Sequence, residues 1–198
     1  MKNIFNNITS ISLIIFLVLT SCSKDGETAP VTYQEENFLA SFLTQSNYSQ
    51  NTTEFTGADR ESGIEFTPLV TGKMKSLKIR MPTVFTNVPT RITLWDAITQ
   101  VPIKTFYIQA QAAGVESTLD INPTVQLEKN KKYCLSMQHK SLYSRNANNH
   151  TEAVFPINCN NIQINRITYN LTANQTYPNT TSLDRYWGDY SFVFQQTQ

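Results

Sequence analysis

Two histidines, His139 and His150, are the only imidazoles in a chain of 198 residues. Neither has a second His or a Cys at metal-ligand spacing, so the pattern of a zinc centre is missing. Serines are plentiful, yet no Gly-x-Ser-x-Gly elbow positions one of them for a Ser-His-Asp mechanism. Fifteen acids offer many pairs for glycoside hydrolysis, and spacing alone nominates none. Glycine-rich phosphate loops and dinucleotide fingerprints do not occur. Glu65, Asp96, Asp184 and Asp189 would make at most an irregular oxygen site for calcium. The chemistry-bearing residues therefore predict no catalytic set, no metal and no cofactor.

The aromatic residues carry more information. Tyr143, Tyr177, Tyr186 and Trp187 stand in or beside polar segments rather than at alternating core positions. Sugar rings stack on such faces while amides and charges hold the hydroxyls, the mixed recipe of small-ligand sites. Arg145, Asn148 and Asp184 are their neighbours in sequence. Tyr143, Arg145, Asp184, Tyr186 and Trp187 thus form the candidate ligand-binding set. The competing expectation is that Tyr186 and Trp187 only cover one end of the core.

Three cysteines divide into two kinds. Cys134 lies inside a strand pattern and Cys159 follows another. An oxidising compartment would permit a disulfide between them, stabilising by about 3 kcal/mol, or they stay two buried thiols. Cys22 is different. Lys2 and the apolar run Ile11–Leu19, too short for the roughly 20 residues of a bilayer span, read as a secretory signal. Its end, Leu19-Thr-Ser-Cys22, resembles the lipobox of bacterial lipoproteins. The resemblance implies removal of residues 1–21, acylation of Cys22, and a lipidated tether over 22–32 ahead of a domain at 33–198. At about 0.8 kcal/mol per buried CH₂, several acyl chains hold a protein on the bilayer essentially permanently. Ser23 after the cysteine implies an outer-membrane address. The charged Ser23–Glu27 start is similar to that of surface-exported lipoproteins.

Lys2 leaves with the signal peptide, so the mature chain balances its 15 acids and is formally neutral. Such a chain lacks the field that collects phosphates, which excludes nucleic acid as an expected partner.

The remaining sequence must position these residues. Thr32-Tyr-Gln-Glu35 has the spacing of a capping box, and Phe38, Leu39, Phe42 and Leu43 follow at helical spacing, predicting one short helix over Gln34–Leu43. Asn47–Arg60 reads as loop with an extended piece at Thr53–Thr56. From Glu61 to His139 short runs alternate polar and apolar residues and end at Pro, Gly, Asn or Asp. Leu77, Ile79 and Met81 share a face, as do Ile92 and Leu94, Phe106 and Ile108, and Tyr133, Leu135, Met137 and His139. Trp95 falls on the polar-facing side of its strand and needs cover. Asn122-Pro-Thr breaks a strand, and Ser141–Thr151 reads as a polar loop. Between Ile164 and Ile167 the apolar phase changes, as a bulge would change it. Tyr190, Phe192 and Phe194 close the domain on a paired strand. The pattern predicts an all-β, single antiparallel sandwich, jelly-roll or immunoglobulin-like, with one short N-terminal helix.

The order of these signals resembles the bacterial family catalogued as domain of unknown function 4082. The matching pieces are Gly63-Ile-Glu-Phe66, Gly72 to Ile79, Leu94-Trp-Asp96, Tyr133 to His139 with Tyr143, and Tyr186-Trp-Gly-Asp189 with Phe192. Gly114-Val115 stands where that family has Gly-Trp, and an Asn-rich insertion follows Tyr143. The resemblance implies a β-sandwich on secreted or surface proteins, often beside carbohydrate-active partners, with no reaction to carry over. The expected function is non-catalytic binding at the cell envelope, of glycan or of a neighbouring envelope protein, with the bilayer engaged through Cys22.

Overall fold

Alternation along the chain becomes two antiparallel sheets packed face to face. A computed structural model describes residues 31–198, of which Thr32–Gln198 form a compact unit. The leader, the lipobox and Cys22 lie outside the described residues. Strands β1 (Glu35–Asn37), β12 (Asp189–Gln196), β3 (Gly72–Arg80) and β6 (Glu116–Leu127) form one sheet in that order. The larger sheet runs β10 (Thr180–Ser182), β9 (Ile162–Asn170), β2 (Thr53–Pro68), β7 (Tyr133–Asn146), β4 (Thr90–Asp96) and β5 (Pro102–Ile108). Two short strands complete it: β8 (Ile157–Cys159) pairs with β9, and β11 (Arg185–Trp187) with the end of β7. The fold is an all-β sandwich with one short α-helix, α1 (Phe38–Gln45).

The inner faces are those the alternation marks. Leu77, Ile79, Ile92, Leu94, Leu135, Met137, Phe192 and Phe194 are buried in one contiguous core. Phe66 of the larger sheet meets Phe192 of the smaller with ring centroids 4.8 Å apart. Each such side chain contributes roughly 1.5–3 kcal/mol by leaving water. The bulge read between Ile164 and Ile167 falls at Asn165, where Glu65 opposes Arg166 but Phe66 opposes Ile164.

Several local readings are corrected. The helix begins at Phe38, not Gln34, because Glu35–Asn37 pair with Gln195–Val193 as a strand. Asn37 rather than Thr32 caps it, accepting from the Leu39 amide. Residues 53–68 form one strand with a register shift between Thr56 and Arg60, so the extended piece expected at Thr53–Thr56 joins the strand after Glu61 instead of being separated from it by loop. β7 runs on to Asn146 because Thr53–Thr56 and Arg185–Trp187 supply partners for its polar half. Asn122-Pro-Thr does not end its strand: β6 continues, with the ladder shifted between its pairings at Asp120 and Val125.

The outer face of the larger sheet is polar by sequence but is not open. Residues 171–179 cross it as a strap. Gln175 Nε2 donates to Thr93 Oγ1 (3.1 Å) and Thr105 Oγ1 (2.7 Å), and Asn170 Nδ2 to the Tyr177 carbonyl (2.9 Å). Tyr177 packs edge-on against Trp95, which is the cover that tryptophan requires. The indole Nε1–H donates to Ser136 Oγ (2.7 Å), whose hydroxyl donates to fully buried Glu61. Arg91 balances that carboxylate at 2.7 Å. Burial pushes the Glu61 carboxyl above its ordinary range, against the opposing pull of Ser136 and Arg91.

Candidate functional site

Of the residues nominated by sequence, Tyr143, Arg145, Tyr186 and Trp187 fall on two paired strands, with Arg145, Tyr186 and Trp187 buried, while Tyr177 lies apart against Trp95. Tyr143 and Arg145 lie on β7, not on a loop, and β11 pairs beside them: Tyr186 opposes Arg145 and Trp187 opposes Ser144. Tyr186 is completely buried, with Phe42 at 5.3 Å and Tyr48 at 6.0 Å. Trp187 is buried beneath Phe55, Tyr169 and the guanidinium groups of Arg60 and Arg185. Arg145 is buried too, and holds Asp189 together with the Ser49 and Gln50 carbonyls. Tyr143 stacks under Arg80, with 4.5 Å from guanidinium carbon to ring centroid. Asp184 is exposed and takes no part in this cluster. A stacking face at Tyr186 and Trp187 is therefore not available, and both rings cover the core.

Cys134 and Cys159 do not pair with each other. Both are free, buried thiols. Cys134 points to the outer face with Trp95 and Tyr177, whereas Cys159 is in the main core. A bridge would have to join opposite faces of the sheet, which disulfide geometry forbids without backbone movement. Burial pushes the Cys159 thiol up to about 11, and Cys134 well above its usual value. The four acids considered for calcium are also dispersed. Glu65 binds Arg166 and Tyr177, Asp96 accepts from the Ile98 and Thr99 amides, and Asp189 binds two arginines. Among the described residues no group of three His, Cys, Asp or Glu side chains could hold a metal ion.

The site that sequence reasoning missed is a cleft of about 310 Å³ at the end of the sandwich where the residue 82–89 loop leaves β3. That volume is at the small end of ligand pockets, which span roughly 300–1,000 Å³. Met81, Phe85, Val88 and Pro89 give it apolar walls, while Asp59, Thr90, Gln138, His139 and Lys140 supply polar groups. Phe85 is 41% and Val88 63% exposed, so the rim offers apolar contact to solvent. Asp59 reaches the cleft because it sits at the β2 register shift, and it accepts from Gln138 Nε2 at 3.0 Å. Lys140 Nζ lies 3.5 Å from its other oxygen. The available signal was an apolar pair, Phe85 and Val88, in a loop bounded by Pro82 and Pro89. Its other half comes from β2 and β7, and spacing along the chain does not reveal that pairing.

His139 lies midway along β7 and is 4% exposed. Its Nε2 is 2.9 Å from Ser62 Oγ, and its Nδ1 has no hydrogen-bond partner among the described residues. Burial and the facing Arg60 guanidinium lower its pKa to about 3, so the ring is neutral at physiological pH. A Ser–His pair at this distance has the geometry of half a nucleophilic triad. Here Ser62 is fully buried, and no carboxylate orients Nδ1 among the described residues.

No protein-family model matches the chain, and no curated protein matches it in sequence.

Proposed function

We propose that this chain is a lipid-anchored bacterial envelope protein, held at the outer membrane through acylated Cys22, whose sandwich binds saccharide without chemical turnover. The observation that carries the binding reading is the cleft. It sets apolar Phe85, Val88 and Pro89 against directional donors and acceptors on Asp59, Gln138 and Lys140. Apolar faces of a sugar ring suit the first group and its hydroxyls the second. The lipobox resemblance and formal neutrality support the address and argue against a polyanion partner.

The test is calorimetry of the full-length chain in detergent against a panel of microbial and host glycans. Phe85→Ala and Gln138→Ala should weaken binding at least tenfold while leaving the melting temperature within a few degrees. Absence of binding heat from every glycan would end the saccharide reading. Acyl labelling that persists in Cys22→Ala would end the anchoring one.

A second reading, docking of a neighbouring envelope protein, is favoured by β5. It is the last strand of its sheet, and Val101, Ile103 and Tyr107 on or beside it are exposed. An open edge with apolar side chains is the template for strand addition. Cross-linking from a cysteine introduced at Ile103 in intact cells would capture such a partner.

A further inference from the structure

The sandwich has two unlike ends, and strand register fixes the one at which the chain enters it. β1 runs antiparallel to β12 with Glu35 opposite Gln195, so Thr32 and Tyr33 lie beside the carboxyl end of β12. Gln195 Nε2 donates to the Tyr33 carbonyl at 2.7 Å. Three turns share this end, and backbone hydrogen bonds join them into one surface. The Ala97 amide donates to the Lys132 carbonyl (3.1 Å), that of Asn130 to Pro68 (2.8 Å) and that of Thr197 to Thr71 (3.0 Å). The cleft lies at the other end of the same strands, after Arg80 and before Thr90.

Two kinds of side chain collect at the entry end. Six of the eight lysines within residues 31–198 are here: Lys73, Lys75, Lys104, Lys129, Lys131 and Lys132. Lys75 pairs with Glu35, and Lys131 with both Asp96 and Glu128 at 3.4 Å. The other four make no ion pair among the described residues, and Lys129 and Lys132 are exposed. Glu36, a fourth acid of this end, is held by Asn161, so positive charge is in excess. Beside the lysines, the turn between β4 and β5 exposes Ile98 (73%) and Val101 (57%). A single aliphatic side chain in water is ordinary. Here two crown one turn, next to Ala97 and its bond to the lysine turn, on the end that carries the chain's amino-terminal connection.

We infer that this end of the sandwich rests on an anionic bilayer surface, with Ile98 and Val101 in the headgroup layer and Lys129 and Lys132 against lipid phosphates. The inference rests on the lipid-anchor reading above. Acyl chains on Cys22 would bring the entry end to the membrane, because the tether joins the domain there. Tethering makes the contact intramolecular, so a surface too weak to hold a vesicle alone still fixes orientation once anchored. Lysines attract an anionic leaflet within a Debye length, and aliphatic side chains gain by leaving water. In this posture the cleft faces away from the bilayer.

The experiment uses the full-length chain, produced in a bacterium that processes lipoproteins and reconstituted into phosphatidylcholine vesicles containing phosphatidylglycerol. Ile98→Trp adds a reporter to this end and Val115→Trp one to the opposite end, where the Gly114 amide bonds the Met81 carbonyl. Dibrominated lipid should quench the added emission of Ile98→Trp at least twofold and leave that of Val115→Trp unchanged. Lys129→Glu with Lys132→Glu should remove most of the Ile98→Trp quenching. A second readout keeps the parent side chains: an amine-acylating reagent should modify Lys129 and Lys132 several-fold more slowly in these vesicles than in detergent, with Lys140 unaffected. Flotation with the vesicles but no quenching at Ile98→Trp, or equal quenching at both reporters, would overturn this inference and leave the anchoring reading standing. Slowed acylation of Lys129 and Lys132 without quenching would mean that a second copy covers this end, which also overturns it. Failure of the chain to float with vesicles would overturn both readings.

Discussion

Arg145 and Asp189 form a two-pronged ion pair in the interior, Nε to Oδ1 at 3.0 Å and Nη2 to Oδ2 at 3.1 Å. Arg80 approaches the same carboxylate from β3, with Nε at 3.0 Å from Oδ2. One acid at the start of β12 thereby ties both sheets, since Arg145 belongs to the larger and Arg80 to the smaller. Arg145 adds the Ser49 and Gln50 carbonyls, fixing the segment between α1 and β2. The arginine nominated by sequence as a ligand holder is a structural clamp.

Asp189→Asn should therefore destabilise strongly. Removing one partner of a buried pair costs about 3–5 kcal/mol, because the remaining charge stays buried without compensation. Urea denaturation should show a midpoint shift of that size with an unchanged slope. A shift below about 1 kcal/mol would place the clamp in solvent.

His139 makes the fold acid-sensitive. Its folded pKa, about 3, is below the value near 6.5 expected of an unfolded chain, so the unfolded state binds the proton first. Stability is therefore whole above pH 6.5 and declines as pH falls toward 3. Between pH 7 and pH 5 the expected loss is roughly 2 kcal/mol from this residue. His139→Gln should flatten that limb in denaturant titrations across this range, before ordinary carboxylates titrate. Identical pH profiles for parent and variant would show that the imidazole reaches water.

Both interior thiols should be inert in the folded protein. The thiolate is the reactive form, and burial disfavours it at Cys134 and Cys159. An aromatic disulfide reagent should titrate neither in native buffer and both in guanidinium, without prior reduction. A reductant requirement in guanidinium would mean that they pair after all.

Gly63 sets the seat of the strap. A Cβ there would stand 2.5 Å from Thr168 Oγ1, 2.6 Å from Pro178 Cγ and 2.9 Å from Cys134 Sγ. Gly63→Ala should lift residues 171–179 off the sheet and wet Trp95. The expected result is a red-shifted emission component that is absent in Gly63→Ala/Trp95→Phe. Unaltered emission and an unaltered melting temperature would mean that Pro178 moves aside freely.

Alternation was sufficient to read the sandwich. Leu77, Leu94 and Phe192 are all fully buried on the faces the period of two assigns them, and the Asn165 bulge shows in the phase change of Ile164 and Ile167. Trp95 was legible as a residue in need of cover, though not what would cover it. Polar composition misled at 141–146, because strands that pair on both edges do not need apolar residues to persist. The same effect hid the Tyr186–Trp187 pair: the Gly188 and Asp184 neighbourhood looks like loop, yet β11 lies along β7. The cleft was illegible because its members, Asp59, Phe85 and His139, meet only through strand register and a register shift. No local pattern encodes that meeting.

The place of β12 has a consequence for the order in which this protein is made. It lies between β1 and β3, so the smaller sheet lacks an interior member until residues 189–196 exist. β1 and the helix that follows it, among the earliest parts of the domain to be synthesised, wait for Gln195 and Phe194 at the other extreme of the chain. Pairings so distant in sequence form late and slowly. A chain emerging amino end first thus stays incompletely folded through nearly its whole synthesis. That state is compatible with the export that the proposed envelope address requires.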